Sequence, residues 1–115
     1  MQDTTVRILI SFGTIGKTAA EQQMELVAKF AASVLGKSGN TAALLSKERE
    51  AMAVVVGLGE IGKSVTKMKF SDLTENTAVC ISCLGDVGKR LAQKNLEEAA
   101  VGVEIMLQEM AAVAM

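Results

Sequence analysis

The chain has 115 residues, half of them hydrophobic and 22% charged, with 12 basic and 13 acidic side chains and a net charge of −1. That length suits one domain with one core. Near-neutral charge and only three aromatics (Phe12, Phe30 and Phe70) exclude a phosphate-tracking surface or a base-stacking platform, so no nucleic-acid partner is expected.

From the N-terminus, MQDTTVR lacks the basic stretch and apolar core of a secretory signal. Val6 to Phe12 is β-branched and apolar and reads as a buried strand, with Gly13 to Lys17 as the turn after it. Thr18 followed by Glu21 fits a capping box opening a helix, along which Ala20, Met24, Val27, Ala28, Ala31 and Val34 recur at helical spacing. Gly36 or Gly39 ends that helix. Thr41 to Leu45 reads as a second strand, and Lys47 to Glu50 as polar and helix-prone. Ala51 to Val56 is apolar and ambiguous between strand and helix. Phe70 to Glu75 suits one helical turn, Thr77 to Cys83 a third strand, and Leu91 to Met110 a second long helix. Ala111 to Met115 would close the sheet as an edge strand. Strands alternating with helices predict an α/β fold, a single Rossmann-like three-layer domain over residues 1–115 with a small, mostly parallel sheet flanked by helices. In such sheets ligands bind beyond the carboxyl ends of the strands.

The absences narrow the chemistry. There is no His, Tyr, Trp or Pro. Without His, a Ser-His-Asp or Cys-His arrangement cannot come from this chain alone. A zinc site would have only Cys80, Cys83 and carboxylates, a poor set for four closed ligands, so no metal is expected, and no cofactor. Two cysteines make no disulfide framework, and the longest apolar runs, about nine residues, are too short to span a bilayer. The expectation is a reduced, cytoplasmic protein with no membrane contact.

Three short stretches share a motif: GTIGK at 13–17, GEIGK at 59–63 and GDVGK at 85–89. Read as turns after strands, they offer backbone N–H groups and a lysine to an anion, with Gly85, Gly88 and Lys89 the copy beside the cysteines. The alternative is plain strand-to-helix turns with solvated lysines. Spacings of 46 and 26 residues do not suggest a regular repeat array. Residues 57–64, GLGEIGKS, match two nucleotide patterns at once, with Gly57, Gly59, Gly62 and Lys63 as the binding residues. The context is weak for both. The nearest acids about 20 residues on, Asp72 and Glu75, precede the next strand, and only Asp86 is placed to serve magnesium.

Cys80 and Cys83 form C-I-S-C at the end of the third strand. A helix or turn beginning at Gly85, with Lys89 and Arg90, would favour a thiolate there, as nucleophilic sulfur chemistry requires. The alternative is that one or both are small buried hydrophobes.

The stretch from Cys80 through the acidic helical start to Val101-Gly102-Val103-Glu104-Ile105 resembles the DsrE/DsrF-like sulfur-relay family, and RILISFG, KFAASVLGK and TAALLS in the first half are compatible with it. The resemblance implies a Rossmann-like domain that forms homo-oligomers. It also implies a persulfide carried on Cys80 and exchanged with sulfur donor and acceptor proteins; Cys83, three residues on, would serve such a site as an auxiliary or resolving thiol. Enzymatic activity would be that of a thiol-dependent sulfurtransferase. Two other readings stand beside it: a nucleotide- or anion-binding module using Gly57 to Ser64, and a non-catalytic, oligomer-forming subunit.

Overall fold

In the first segment Leu9, Gly13, Gly16, Ala19 and Ala20 turn inward, at steps of one, three and four; in the fourth, Asn76, Cys80, Leu84, Val87 and Leu91 do. That spacing puts side chains on one face only when the backbone is α-helical. The computed structural model describes residues 2–68 and 74–115, and places in them five α-helices: α1 (Gln2–Glu21), α2 (Glu25–Leu44), α3 (Glu48–Met68), α4 (Thr74–Gln93) and α5 (Glu97–Ala114). Among the described residues there is no strand.

The α/β, Rossmann-like expectation is therefore overturned. Val6 to Phe12 lies within α1, Thr41 to Leu45 closes α2, Thr77 to Cys83 lies within α4, and Ala111 to Ala114 ends α5. Runs of six or seven apolar residues read alike in either conformation; the longer pattern of three- and four-residue steps distinguishes them. The helix expected at Leu91 to Met110 is interrupted at Lys94–Leu96. Residues 70–73 of the expected helical turn lie outside the described residues.

Three of the helix junctions are built alike. Gln23, Ser46 and Asn95 take left-handed φ values of 60°, 55° and 60°. In each, the next residue's N–H bonds back across the turn, Met24 to the Ala19 carbonyl at 2.8 Å, Lys47 to Ala42 at 2.8 Å and Leu96 to Leu91 at 2.9 Å. This is the Schellman closure, for which glycine is the usual residue and is absent here. The expected capping box is not one, because Thr18 and Glu21 lie in the last turn of α1. Gly36 and Gly39, expected to stop a helix, lie inside α2. Left-handed backbone costs a side chain of ordinary shape about 1 kcal/mol. Ser46→Gly is accordingly expected to raise stability by up to about 1 kcal/mol in denaturant unfolding.

α1, α3 and α5 form one layer and α2 and α4 the other, each helix packing on its sequence neighbours and on the helix two further on. This is the layout of an α-solenoid, a stack of helices in which contacts are made to near neighbours only. α3 packs against all four other helices. It carries the centre of the core, with Val54, Val55, Leu58 and Ile61 wholly buried.

Candidate functional site

The glycine motif becomes regular once a fourth copy is recognised. Gly36-Lys37-Ser38-Gly39 lacks the fifth-position lysine but keeps the glycine pair, so pairs begin at Gly13, Gly36, Gly59 and Gly85, spaced by 23, 23 and 26 residues. Each pair lies in mid-helix, one pair in each of α1 to α4. Their N–H groups are spent on the helix ladder and are not offered to a ligand. This corrects the loops expected around Gly57, Gly59, Gly62 and Lys63 and around Gly85, Gly88 and Lys89. Neither stretch is a turn after a strand, so neither forms a phosphate cradle.

What the glycines do is admit neighbouring helices. A Cβ on the first glycine of a pair would strike the helix two further on: Gly13 would meet the Gly57 Cα at 2.9 Å, Gly36 the Cys83 Sγ at 2.5 Å, and Gly59 the Met106 side chain. The second glycine is covered from two sides. The next helix supplies Ala31 over Gly16, Val54 over Gly39, Cys80 at 3.4 Å from Gly62, and Val103 over Gly88. The helix after that supplies Ile61 over Gly16, Val87 over Gly39 and Met110 over Gly62. Each glycine costs its helix about 1 kcal/mol relative to alanine. Backbones and side chains close at these points gain the dispersion contacts that offset it.

Both cysteines occupy this packing register. Cys80 holds in α4 the place that Ala31, Val54 and Val103 hold in α2, α3 and α5, and it is 0% exposed. Burial pushes its thiol up to about 12, with the neighbouring Cys83 adding to the rise. Cys83 is half-buried over Gly36, its thiol also raised, by burial first and by the Asp86 charge second. The thiols are free, and neither sits at a strand end. The helix dipole expected to favour a thiolate is absent, because α4 begins at Thr74, well before Cys80. Burial leads the rise at both thiols, the opposite of the exposed, electropositive surroundings that favour a thiolate.

Two of the three motif lysines are used in ion pairs between alternate helices. Lys17 of α1 lies 3.6 Å from Glu60 of α3, and Lys63 of α3 lies 2.8 Å from Glu109 of α5 and 3.2 Å from Glu60. The hydrogen bond to Glu109 chiefly raises the Lys63 pKa, so the lysine is committed to protein carboxylates. Lys89 lines a shallow depression of about 280 Å³ with Asp86, Arg90 and Gln93, apart from the glycines.

Two larger grooves open on the surface. One, of about 650 Å³, runs between α1 and α3 over Ile10, Met52 and Val56. The other, of about 500 Å³, lies where the start of α1 meets the α2–α3 junction. Lys37, Lys47 and Thr41 line it beside Glu50, which is 8% exposed and has Oε1 without a hydrogen-bond partner. Among the described residues no three His, Cys, Asp or Glu side chains come together to hold a metal ion, and no helix is long and apolar enough to cross a membrane. Sequence reasoning missed that Gly36 and Gly39 belong to the repeat, and that Cys80, Cys83, Val54, Ile61 and Val87 seat over its glycines; the 23-residue spacing was the available signal. Comparison of the chain with protein-family models, curated proteins and solved structures found no match.

Proposed function

We propose that the chain is a non-catalytic assembly module, a helical-repeat scaffold that works by presenting surfaces to protein partners. One observation carries this reading: Cys80, Cys83 and every motif glycine but Gly85 are committed to one repeating packing register, with Lys17 and Lys63 in ion pairs beside it. A solenoid of this kind offers extended surface and stackable ends, the usual means by which such repeats bind proteins.

The test is intact-mass analysis after exposure to a persulfide donor in native buffer, for wild type, Cys80→Ala and Cys83→Ala. The expected result is no sulfur on Cys80 until the chain is unfolded. Sulfur taken up by wild type and Cys83→Ala but not by Cys80→Ala would overturn the reading. It would support a sulfur carrier acting between donor and acceptor proteins.

Burial of Cys80 also has a pH signature. An unfolded thiol ionises near about pH 8.5, whereas the folded protein holds Cys80 protonated up to about 12. The folded pKa is the higher one, so this contribution is whole below the unfolded value and is lost as pH rises toward 12. Thermal stability is expected to fall across that window, and to fall less steeply in Cys80→Ala.

A further inference from the structure

The packing register that joins the helices is complete inside the chain and unfilled at both ends. At the far end, Gly85 has nothing within 4 Å of its built Cβ. Gly88 has Val103 of the next helix over it, as every second glycine does, but no side chain from a helix two further on. The same face of α4 carries Ala78, Ile81 and Ala92, all exposed. Their counterparts in α2, spaced identically about Gly36, include Ala32 and Ala43, which are fully buried.

At the near end the complementary half is exposed. In α3 and α4 the residues seated over an earlier glycine pair flank that helix's own first glycine by two positions: Gly57 and Ile61 about Gly59, Cys83 and Val87 about Gly85. The same positions about Gly13 are Ser11 and Ile15, both exposed, Ile15 at 54%. Ile8 holds the place of Val54 and Cys80, which are fully buried, yet is 52% exposed. Beside this face, α2 leaves Val27, Leu26 and Phe30 open, Phe30 at 67%. Beside the α4 face, α5 leaves Val101 and Ile105 open.

From this we infer that the chain assembles head to tail with further copies of itself, α1 of one copy seating on the α4 edge of the next. Ser11 lies over Gly85 and Ile15 over Gly88, in the register already joining α1 to α3, α2 to α4 and α3 to α5. The α2 helix of the incoming copy then follows onto α5, bringing Leu26 against Val101 as Glu75 lies against Lys29 within the chain. Lys89 meets the hydroxyl of Thr14 where Lys17 meets Glu60. A second copy is the occupant because the open seat requires two successive helices with the spacing of this repeat, and the α1–α2 pair supplies both. The interface is heterologous, so it builds assemblies of more than two copies, open chains or closed rings, instead of a two-fold dimer. The inference rests on the reading of the chain as an assembly module.

Sedimentation velocity over a concentration series tests it, with Ile15→Glu and Gly85→Arg. Both positions are exposed, and a Cβ at residue 85 meets nothing within 4 Å, so both variants are expected to keep the wild-type helicity, which far-UV circular dichroism checks. Wild type is expected to form a series of species growing with concentration. Each variant alone is expected to remain monomeric. Their equimolar mixture is expected to form one-to-one dimers and nothing longer, because each supplies the edge the other has lost. A monomeric wild type at the highest concentration overturns the contact. So does association untouched by either substitution, or a discrete dimer lost in both variants and not restored by mixing. Those results leave the non-catalytic reading standing, whereas sulfur uptake on Cys80 removes that reading whatever the association.

Discussion

Gly13→Leu is expected to cost the fold about 3 kcal/mol, near the upper end for inserting a large side chain into a packed site. The first atom a new Cβ would meet is the Gly57 Cα, at 2.9 Å. Backbone cannot rotate away as a side chain can, so α1 and α3 must separate along their contact. The substitution also removes a helix-interior glycine, which by itself favours the helix by about 1 kcal/mol; the clash has to exceed that gain. Gly85 supplies the control. It is a glycine of the same motif in α4, and a Cβ there meets open space. Gly85→Ala should therefore raise stability by up to about 1 kcal/mol. The chain has no Trp or Tyr, so helicity by far-UV circular dichroism in denaturant is the measurement. Equal effects at the two positions would show that the glycines do not set helix approach.

Leu58→Ala is expected to cost a similar amount, about 3 kcal/mol within the range of about 2–5 for buried leucines. Leu58 is 0% exposed on α3, the helix that packs against all four others. Truncation removes the transfer free energy of the lost atoms and leaves a cavity in a packed interior that closes only in part. Ile10→Ala, at a position 53% exposed on α1, should cost less than about 1 kcal/mol. Because total stability for a domain is about 5–15 kcal/mol, the Leu58 change alone moves the denaturation midpoint far enough to measure. A Leu58→Ala loss no larger than that of Ile10→Ala would contradict the placement of α3 at the centre of the core.

The ion pairs between alternate helices are a lesser matter. Lys17–Glu60 and Lys63–Glu109 sit at partly exposed positions, where such pairs contribute at most about 1 kcal/mol each. They repeat with the glycines and help hold register, while the close contacts at the glycines carry the adhesion.

Much of the material of the fold was legible in the residues, and its arrangement was misread for physical reasons that can be named. The glycines stand out as a motif, but Gly-x-x-Gly reads equally as a turn. A glycine pair three apart marks a turn when the chain reverses there, and a helix contact when another backbone arrives; the two demands select the same residue. The actual reversals fall on Gln23, Ser46 and Asn95, residues with no glycine to announce them. The copy at Gly36–Gly39 is masked because it carries Lys at its second place instead of its fifth, and without it the spacing is irregular. Val6 to Phe12 and Thr77 to Cys83 hold enough β-branched and apolar residues to suit a strand, and local preference of that kind yields to tertiary burial.

The sequence by itself determined the size of the core, the near-neutral surface, the absence of histidine chemistry and the four glycine pairs. Tertiary structure alone decided what those pairs and the two cysteines are for. A thiol's reactivity depends on exposure and neighbouring charge, and a glycine's role on what lies against it. Both are set by residues far away in the chain: Gly62 and Met110 around Cys80, Gly36 beneath Cys83, Gly57 against Gly13. The same dependence leaves Gly85 open, because the helix that would cover it is not among the five.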